Sequence, residues 1–181
     1  LCNNAVIKDN QEIGDPTEIA LLDMYKTYNV TNDAFSLIAS RQLELPFDSD
    51  SKLMSITSKN HLYTKGATDE LLKRCKTILI DDQKIPLEQK HINQILDQNH
   101  RFASEGLRVL GFAYKTFDKH TIHIEDEKDL TFVGMVSLMD PPREESFDAV
   151  RDCRIAGIKP IMITGDHVIT ATSIAKQIGI Y

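Results

Sequence analysis

The segment LMSITSKNHLYTK, residues 53–65, indicates the fold class of this 181-residue chain. It predicts a β-hairpin with strands over 53–58 and 61–65 and a turn at Lys59-Asn60. We therefore expect residues 1–131 to form an α+β domain, with a largely antiparallel sheet and helices around it.

The sequence on either side of this hairpin predicts further helices and strands. Asp15-Pro16-Thr17-Glu18 is typical of a helix start, because Asp15 can cap the helix and Pro16 suits its first position. Residues 88–105 carry apolar side chains at the helical period, and Gly106 is a natural terminator. The remaining predictions are a helix over 68–75, strands over 77–80 and 107–114, and an exposed charged loop over 119–129.

The pattern changes after Thr131. Residues 132–138 predict a strand, 144–156 a helix, 158–163 a strand and 168–178 a helix. That alternation is the unit of a parallel doubly wound sheet. We therefore predict a domain boundary near residue 131 and an incomplete α/β domain over 132–181. Two parallel strands cannot form such a sheet alone, so partner strands are expected outside this chain.

Composition narrows the possible partners and locations. The net charge of −6 gives no electrostatic footprint for nucleic acid, and we expect no nucleic-acid partner. Cys2, Cys75 and Cys153 lack metal-ligand spacing and predict unpaired thiols, so no residue is assigned as a metal ligand. No run approaches the roughly 18 apolar residues of a membrane helix. Because Leu1 is not an initiator Met, we expect an excised piece whose parent can still span a membrane.

Two segments near the end of the chain suit phosphate chemistry. Asp140-Pro141-Pro142-Arg143 and Thr164-Gly165-Asp166 follow the two predicted parallel strands, and ligands of open α/β sheets bind at that end of the strands. A hydroxyl, a flexible Gly and a carboxylate before a helix N-terminus suit the handling of phosphate and Mg²⁺. The alternative is that Asp166 only caps the following helix and Gly165 only forms a turn.

Other candidates lie in the first region. Lys65 can hold a phosphate as a point charge, and Gly66 beside it allows close backbone approach. Phe47 lies among polar residues and can stack on a nucleobase, with Lys52 nearby. Arg108 can bridge phosphates. The alternatives are a surface Lys65 in a turn, a core Phe47 that anchors a loop, and an Arg108 that only faces solvent.

Six segments, taken in order, resemble the signature of the P-type ATPases. They are GDPTE at 14–18, FDSDSKLMS at 47–55, KGATDE at 65–70, GLRVL at 106–110, DPPR at 140–143 and TGD at 164–166. The resemblance covers nearly the whole chain, and residues 47–55 and 133–179 are most similar to the calcium-pump branch. It implies a nucleotide-binding domain followed by part of a haloacid-dehalogenase-like phosphorylation domain.

In the first domain, the resemblance implies a set of contacts with ATP. Phe47 would stack on adenine, while Glu18 and Lys52 would line the base and ribose end. Lys65 would lie deep in the pocket, and Arg108 would reach the phosphates. Glu18 has a second interpretation from the residues alone: at the third helical position, its side chain can reach back and complete a capping box.

In the second domain, the resemblance implies contacts with the transferred phosphoryl group. Thr164, Gly165 and Asp166 would face that group. Asp140 and Arg143 would help close the two domains over ATP.

The sequence also departs from the family pattern. Ser49 and Ser51 stand where many calcium pumps carry Arg, which weakens or moves a phosphate-side contact, and Thr68-Asp69 replaces Pro-Glu. The chain contains no Asp-Lys-Thr-Gly-Thr segment, whose Asp is the family's nucleophile, and no later Gly-Asp-Gly-x-Asn-Asp segment that helps hold Mg²⁺. We expect these segments before Leu1 and after Tyr181, so the chain should bind ATP without completing the reaction.

The resemblance thus implies a parent enzyme that couples ATP hydrolysis to cation transport at the cytoplasmic face of a membrane. Ca²⁺ is the first candidate, with Mn²⁺, Na⁺/K⁺ and H⁺ open. Its ligands would be ATP and Mg²⁺. Its partners would be its own phosphorylation, actuator and transmembrane domains, and exposed strand edges could pair with a second copy. Two alternatives are a dehalogenase-like phosphatase, which would need its own nucleophilic Asp, and a nucleotide-sensing module, which would need only the first region.

Overall fold

The structure is a computed structural model that describes residues 2–8, 11–28, 40–139, 142–164 and 168–181. Its strands are β1 Val6–Lys8, β2 Gln11–Ile13, β3 Arg41–Asp48, β4 Leu53–Ser58, β5 His61–Gly66, β6 Cys75–Ile80, β7 Gln83–Pro86, β8 Arg108–Thr116 and β9 Leu130–Leu138. Its α-helices are α1 Pro16–Thr27, α2 Thr68–Leu72, α3 Gln89–Ser104, α4 Glu144–Ile155 and α5 Val168–Ile178, and Ile124–Asp126 is a 3₁₀ turn.

The predicted hairpin is confirmed as β4 and β5. Lys59 and Asn60 form its turn with φ angles of 42° and 58°, a left-handed pair that suits the twist of the flanking strands. The register pairs Ser58 with His61 at the turn and Met54 with Lys65 near the open end. All six residues of β4 are buried, so this strand lies at the centre of the sheet's packing.

The hairpin belongs to a seven-stranded mixed sheet. Its strand order is β3-β4-β5-β8-β9-β6-β7, with four antiparallel pairs assigned and a parallel pair between β6 and β9. Fully buried side chains such as Leu53, Ile56 and Leu130 form the core. The α+β class and the largely antiparallel sheet are therefore confirmed. β9 runs through the predicted boundary at residue 131, and the division of the chain at that residue stays a prediction.

The chain divides into two compact units. The first comprises Leu1–Ile92 and Leu110–Val136, and the second comprises Asn93–Val109 and Ser137–Tyr181. The predicted helix starts at Pro16 and Val168 are confirmed. The helix predicted over 88–105 forms with each end one residue inside those bounds, and the helix predicted over 144–156 starts as predicted and ends one residue earlier. Helix α2 is shorter than predicted, because Cys75 already begins β6.

The strand predicted over 158–163 is wrong: residues 158–164 form no strand in the described structure. Ile161 and Ile163 are 77% and 93% exposed. A parallel strand requires a neighbour to bond its backbone groups, and the first strand of the predicted pair, β9, bonds instead to β6. The strand–helix–strand–helix unit is therefore not formed in the described residues.

Three smaller observations complete the fold. Cys2, Cys75 and Cys153 are free, as predicted. Burial raises the pKa of Cys2 to about 11 and that of Cys75 to about 12, so both thiols are protonated at neutral pH. Among the described residues, no helix is both long and apolar enough to cross a membrane.

Candidate nucleotide-binding site

Helix α1 begins with a capped first turn. The Asp15 carboxylate accepts the Thr17 N–H at 2.8 Å, and the Asp15 carbonyl accepts the N–H groups of Glu18 and Ile19 at 2.9 Å. Asp15 is therefore the N-cap, with Pro16 at the first helical position. This start fixes the place of Glu18 on the first turn, facing the sheet.

Glu18 makes an ion pair with Lys65 that sequence reasoning did not predict. The Lys65 Nζ lies 2.6 Å from Glu18 Oε1, and the side chains are 8% and 15% exposed. The other carboxylate oxygen, Oε2, accepts the Asn4 N–H at 3.0 Å. Both oxygens thus contact groups outside α1. A pair this well shielded from water is expensive to break from one side, because the remaining charge stays buried.

Gly66 is required by the backbone beside it. A Cβ at Gly66 would lie 2.1 Å from the Lys52 carbonyl oxygen, so no other residue fits without moving that turn. The same carbonyl accepts the Ala67 N–H at 3.1 Å. The close backbone approach predicted for Gly66 therefore exists, but the group that approaches is the Lys52 turn.

The turn that carries Lys52 is built by Asp48. Its Oδ1 accepts the N–H groups of Ser51 at 2.8 Å and Asp50 at 3.1 Å, and its carbonyl accepts the Lys52 N–H at 2.7 Å. Lys52 has a φ of 57°, in the left-handed region. The Ser51 hydrogen bond holds the pKa of Asp48 below its ordinary value. Sequence reasoning missed this role, although an Asp before a short polar run is a known turn signal.

Phe47 is 63% exposed near the end of β3, so its interpretation as a core residue is wrong. A β-bulge separates the pairs Leu45–Ser55 and Asp48–Leu53, and it leaves two residues of β3 opposite Met54. The register therefore directs Phe47 to the face of Met54, whose partner on β5 is Lys65. Phe47 and Lys65 share one face of the sheet, two strands apart, at a separation of about 10 Å.

The remaining predicted residues divide between the second unit and the residues that the structure does not describe. Arg108 begins β8 and is exposed, Arg143 precedes α4 with no side-chain capping bond, and Thr164 is exposed. Asp140, Gly165 and Asp166 lie outside the described residues. The structure thus places Glu18, Lys65, Gly66, Lys52 and Phe47 in the first unit, where Glu18 contacts Lys65 and the Lys52 carbonyl lies over Gly66. The roles of all the predicted residues toward ATP stay predictions.

An apolar cavity of about 520 Å³ also lies in the first unit. Side chains of α1, β5 and β8 line it, among them Leu21, Tyr25 and Tyr114. Of the predicted site residues that the structure describes, none lines it. Its apolar and tyrosine lining suits a triphosphate poorly, and we place the candidate site at Glu18 and Lys65 instead.

Comparison with known proteins identifies the family. A sequence model described as the P-type ATPase cytoplasmic domain N matches residues 1–145, so the chain belongs to that family. Its relatives include calcium-transporting ATPase 1 of Bacillus cereus, 44% identical over 99% of this chain, and calcium-transporting ATPase lmo0841 of Listeria monocytogenes, 35% identical over 99%. The rat sodium/potassium-transporting ATPase subunit alpha-2 is 38% identical, also over 99% of this chain.

The chain spans about one fifth of each relative. It covers 21% of the two bacterial proteins and 20% of the rat protein. The family model and these relatives confirm the resemblance to P-type ATPases, and calcium transporters are among the relatives.

Proposed function

We propose that this chain binds ATP on the sheet face that carries Phe47, Lys65 and Glu18, as the nucleotide-binding part of a P-type ATPase. The observation that supports this most directly is the Glu18–Lys65 pair, 2.6 Å apart, on the same face as an exposed Phe47. A stacking ring and adjacent acceptor and donor groups are what a purine site requires.

The pair matches the polar edge of adenine. The adenine 6-amino group is a donor and the neighbouring N1 is an acceptor, so Glu18 can accept from the first while Lys65 donates to the second. Inosine presents a carbonyl and an N–H at those positions, which reverses both requirements. The site should therefore prefer ATP to ITP, since each unmatched buried polar group is costly.

The triphosphate would extend from the base toward positively charged groups. The Lys52 carbonyl is held over Gly66 by the Asp48 turn, and Lys52 is the candidate for the base and ribose end. Arg108 is the candidate for the phosphates. Ser49 and Ser51 replace Arg, and Ser51 uses its backbone N–H inside the Asp48 turn.

For the second unit we propose a segment of a haloacid-dehalogenase-like phosphorylation domain. Thr164, Gly165 and Asp166 would face the phosphoryl group, and Asp140 and Arg143 would help close the domains over ATP. The described residues include no group of three or more His, Cys, Asp or Glu that could hold a metal ion.

The parent protein would transport a cation across a membrane through an aspartyl-phosphate. Ca²⁺ is the proposed cargo, because the relatives include calcium-transporting ATPases. The chain would then work at the cytoplasmic face, with the phosphorylation, actuator and transmembrane domains as its partners.

The proposal is tested by titrating the chain with ATP and following backbone amide shifts. We expect a dissociation constant of roughly 0.1–1 mM, or about 4–5.5 kcal/mol, with the largest shifts at Phe47, Lys65 and Glu18. Saturating ATP without shifts at these positions would refute it.

A further inference from the structure

The segment before β1 is attached to Glu18. The Asn3 side-chain amide donates to the Glu18 carbonyl at 2.7 Å, and the Asn4 N–H donates to Glu18 Oε2 at 3.0 Å. The second bond fixes one carboxylate oxygen, which leaves Oε1 for Lys65. The orientation of the carboxylate therefore depends on where the backbone of Asn4 lies.

A second group of polar bonds fixes the Asn4 position. Arg41 donates to the Asn3 carbonyl at 3.0 Å and to Asn4 Oδ1 at 2.6 Å, and the Asn4 side-chain amide donates to Glu44 Oε1 at 2.9 Å. Arg41 and Glu44 also pair with each other at 2.5 Å. Every polar group of the Asn4 side chain is thus bound to a residue of β3.

Arg41 and Glu44 reach the same residue because of a β-bulge. Positions three apart in a regular strand point to opposite faces. Here Arg41 pairs with Ser58 and Glu44 pairs with Ile56, so one extra residue between them turns both side chains to one face. That face also carries Lys65, through the pairing of Met54 with Lys65.

Stability alone is a weak explanation for this arrangement. The Arg41 and Glu44 side chains are 25% and 32% exposed, so solvent screens part of their attraction. The two charges also cancel, so they add no net charge beside the Glu18–Lys65 pair. What the network does supply is a fixed position for one N–H donor to the Glu18 carboxylate.

We propose that Arg41 and Glu44, acting through Asn4, are positioning residues that orient the Glu18 carboxylate for recognition of the nucleotide base. The inference rests on the proposed ATP binding. When the network is intact, Oε1 is held at Lys65 and faces the base edge. When it is lost, the carboxylate rotates among its rotamers and accepts the 6-amino group of adenine less often.

The test compares ATP and ITP affinities in wild type, Arg41→Ala, Arg41→Lys and Asn4→Ala. Asn4→Ala keeps the backbone N–H that bonds Glu18 and removes only the side-chain bonds. We expect the ATP-to-ITP affinity ratio to fall by about 3- to 10-fold in Arg41→Ala and Asn4→Ala, as expected when a charged hydrogen bond is weakened. Arg41→Lys should recover part of the ratio, because Lys can still donate to Asn4.

A matched control is Arg151→Ala, which removes an exposed arginine paired at 2.9 Å with Asp148. It should leave the ratio unchanged. The carboxyl carbon signal of Glu18, recorded without nucleotide, should shift in Asn4→Ala and stay in place in the control. This signal reports the orientation of Glu18 even if Arg41→Ala folds poorly.

The outcomes are distinct. A wild-type ratio near one would remove the proposed base site, and this inference with it. A high wild-type ratio that persists in Arg41→Ala and Asn4→Ala would leave ATP binding intact and overturn the positioning role. A lowered ratio with an unmoved Glu18 signal would also overturn it.

Discussion

The replacement Glu18→Ala tests the ion pair and the base site in one variant. It removes the carboxylate that lies 2.6 Å from Lys65, whose side chain is only 8% exposed. The free energy of unfolding should fall by about 3 kcal/mol, the lower end of the cost of removing one partner of a buried pair. For a chain of this size that is a fall in melting temperature of about 6–12 °C.

A matched control is Glu70→Ala. Glu70 pairs with Lys73 at 2.8 Å, but the side chains of Lys73 and Glu70 are 66% and 28% exposed. Its loss should cost less than about 1 kcal/mol. Lys65→Met should be destabilising alone, because it leaves Glu18 unpaired. The double variant Glu18→Ala/Lys65→Met should be more stable than either single one, since no unpaired charge stays buried.

Glu18→Ala should also lose discrimination between the bases of ATP and ITP. A hydrogen bond to a charged group contributes about 1.5–3 kcal/mol, so the ATP-to-ITP affinity ratio should fall about 10- to 100-fold, toward one. Calorimetric melting and isothermal titration on the same preparations give both quantities. A melting temperature lowered no further than in Glu70→Ala would refute the buried pair, and an unchanged affinity ratio would refute the role of Glu18 in base recognition.

Three further predictions concern ATP binding, turnover and stability in acid. Phe47→Ala should weaken ATP binding by about 1–3 kcal/mol with almost no change in melting temperature, because the ring is 63% exposed; a loss of about 3–5 kcal/mol of stability would instead show a core residue. The chain should show no ATPase turnover and no hydroxylamine-sensitive label from γ-labelled ATP, because it contains no Asp-Lys-Thr-Gly-Thr segment; labelled protein would contradict this. Stability should also fall in acid. Hydrogen bonds from Ser51 and Lys73 hold the pKa values of Asp48 and Glu70 below their ordinary values. The stability they contribute is present above about pH 4 and is lost as pH falls through the lowered values, which urea titrations at pH 7 and pH 3 would measure; Asp48→Asn should reduce that loss.

Features encoded by neighbouring residues could be predicted from the sequence. The β4–β5 hairpin depends on two turn residues that accept left-handed backbone angles, and the start of α1 depends on Asp15 and Pro16. Helix α3 follows from its apolar period. In each case the signal and the structure lie within a few residues of one another.

Features that depend on distant partners could not be predicted. Glu18 and Lys65 are 47 residues apart in sequence, and no local pattern announces their contact. The strand predicted over 158–163 had the right composition, but β9 found its parallel partner in β6. Strand propensity describes a residue's fit to a half-buried surface, and the sheet forms only where a partner supplies the hydrogen bonds.

The two bulges of β3 explain how local and distant signals combine at this site. One turns Arg41 and Glu44 to the same face, and the other directs Phe47 to that face. In a regular strand Arg41 and Glu44 would point to opposite faces, because side chains alternate. The same face receives Glu18 from α1 and Lys65 from β5. The backbone irregularities of an edge strand therefore place the aromatic ring and the positioning residues on the same face as a buried ion pair, and the site depends on the register of β3 as much as on its side chains.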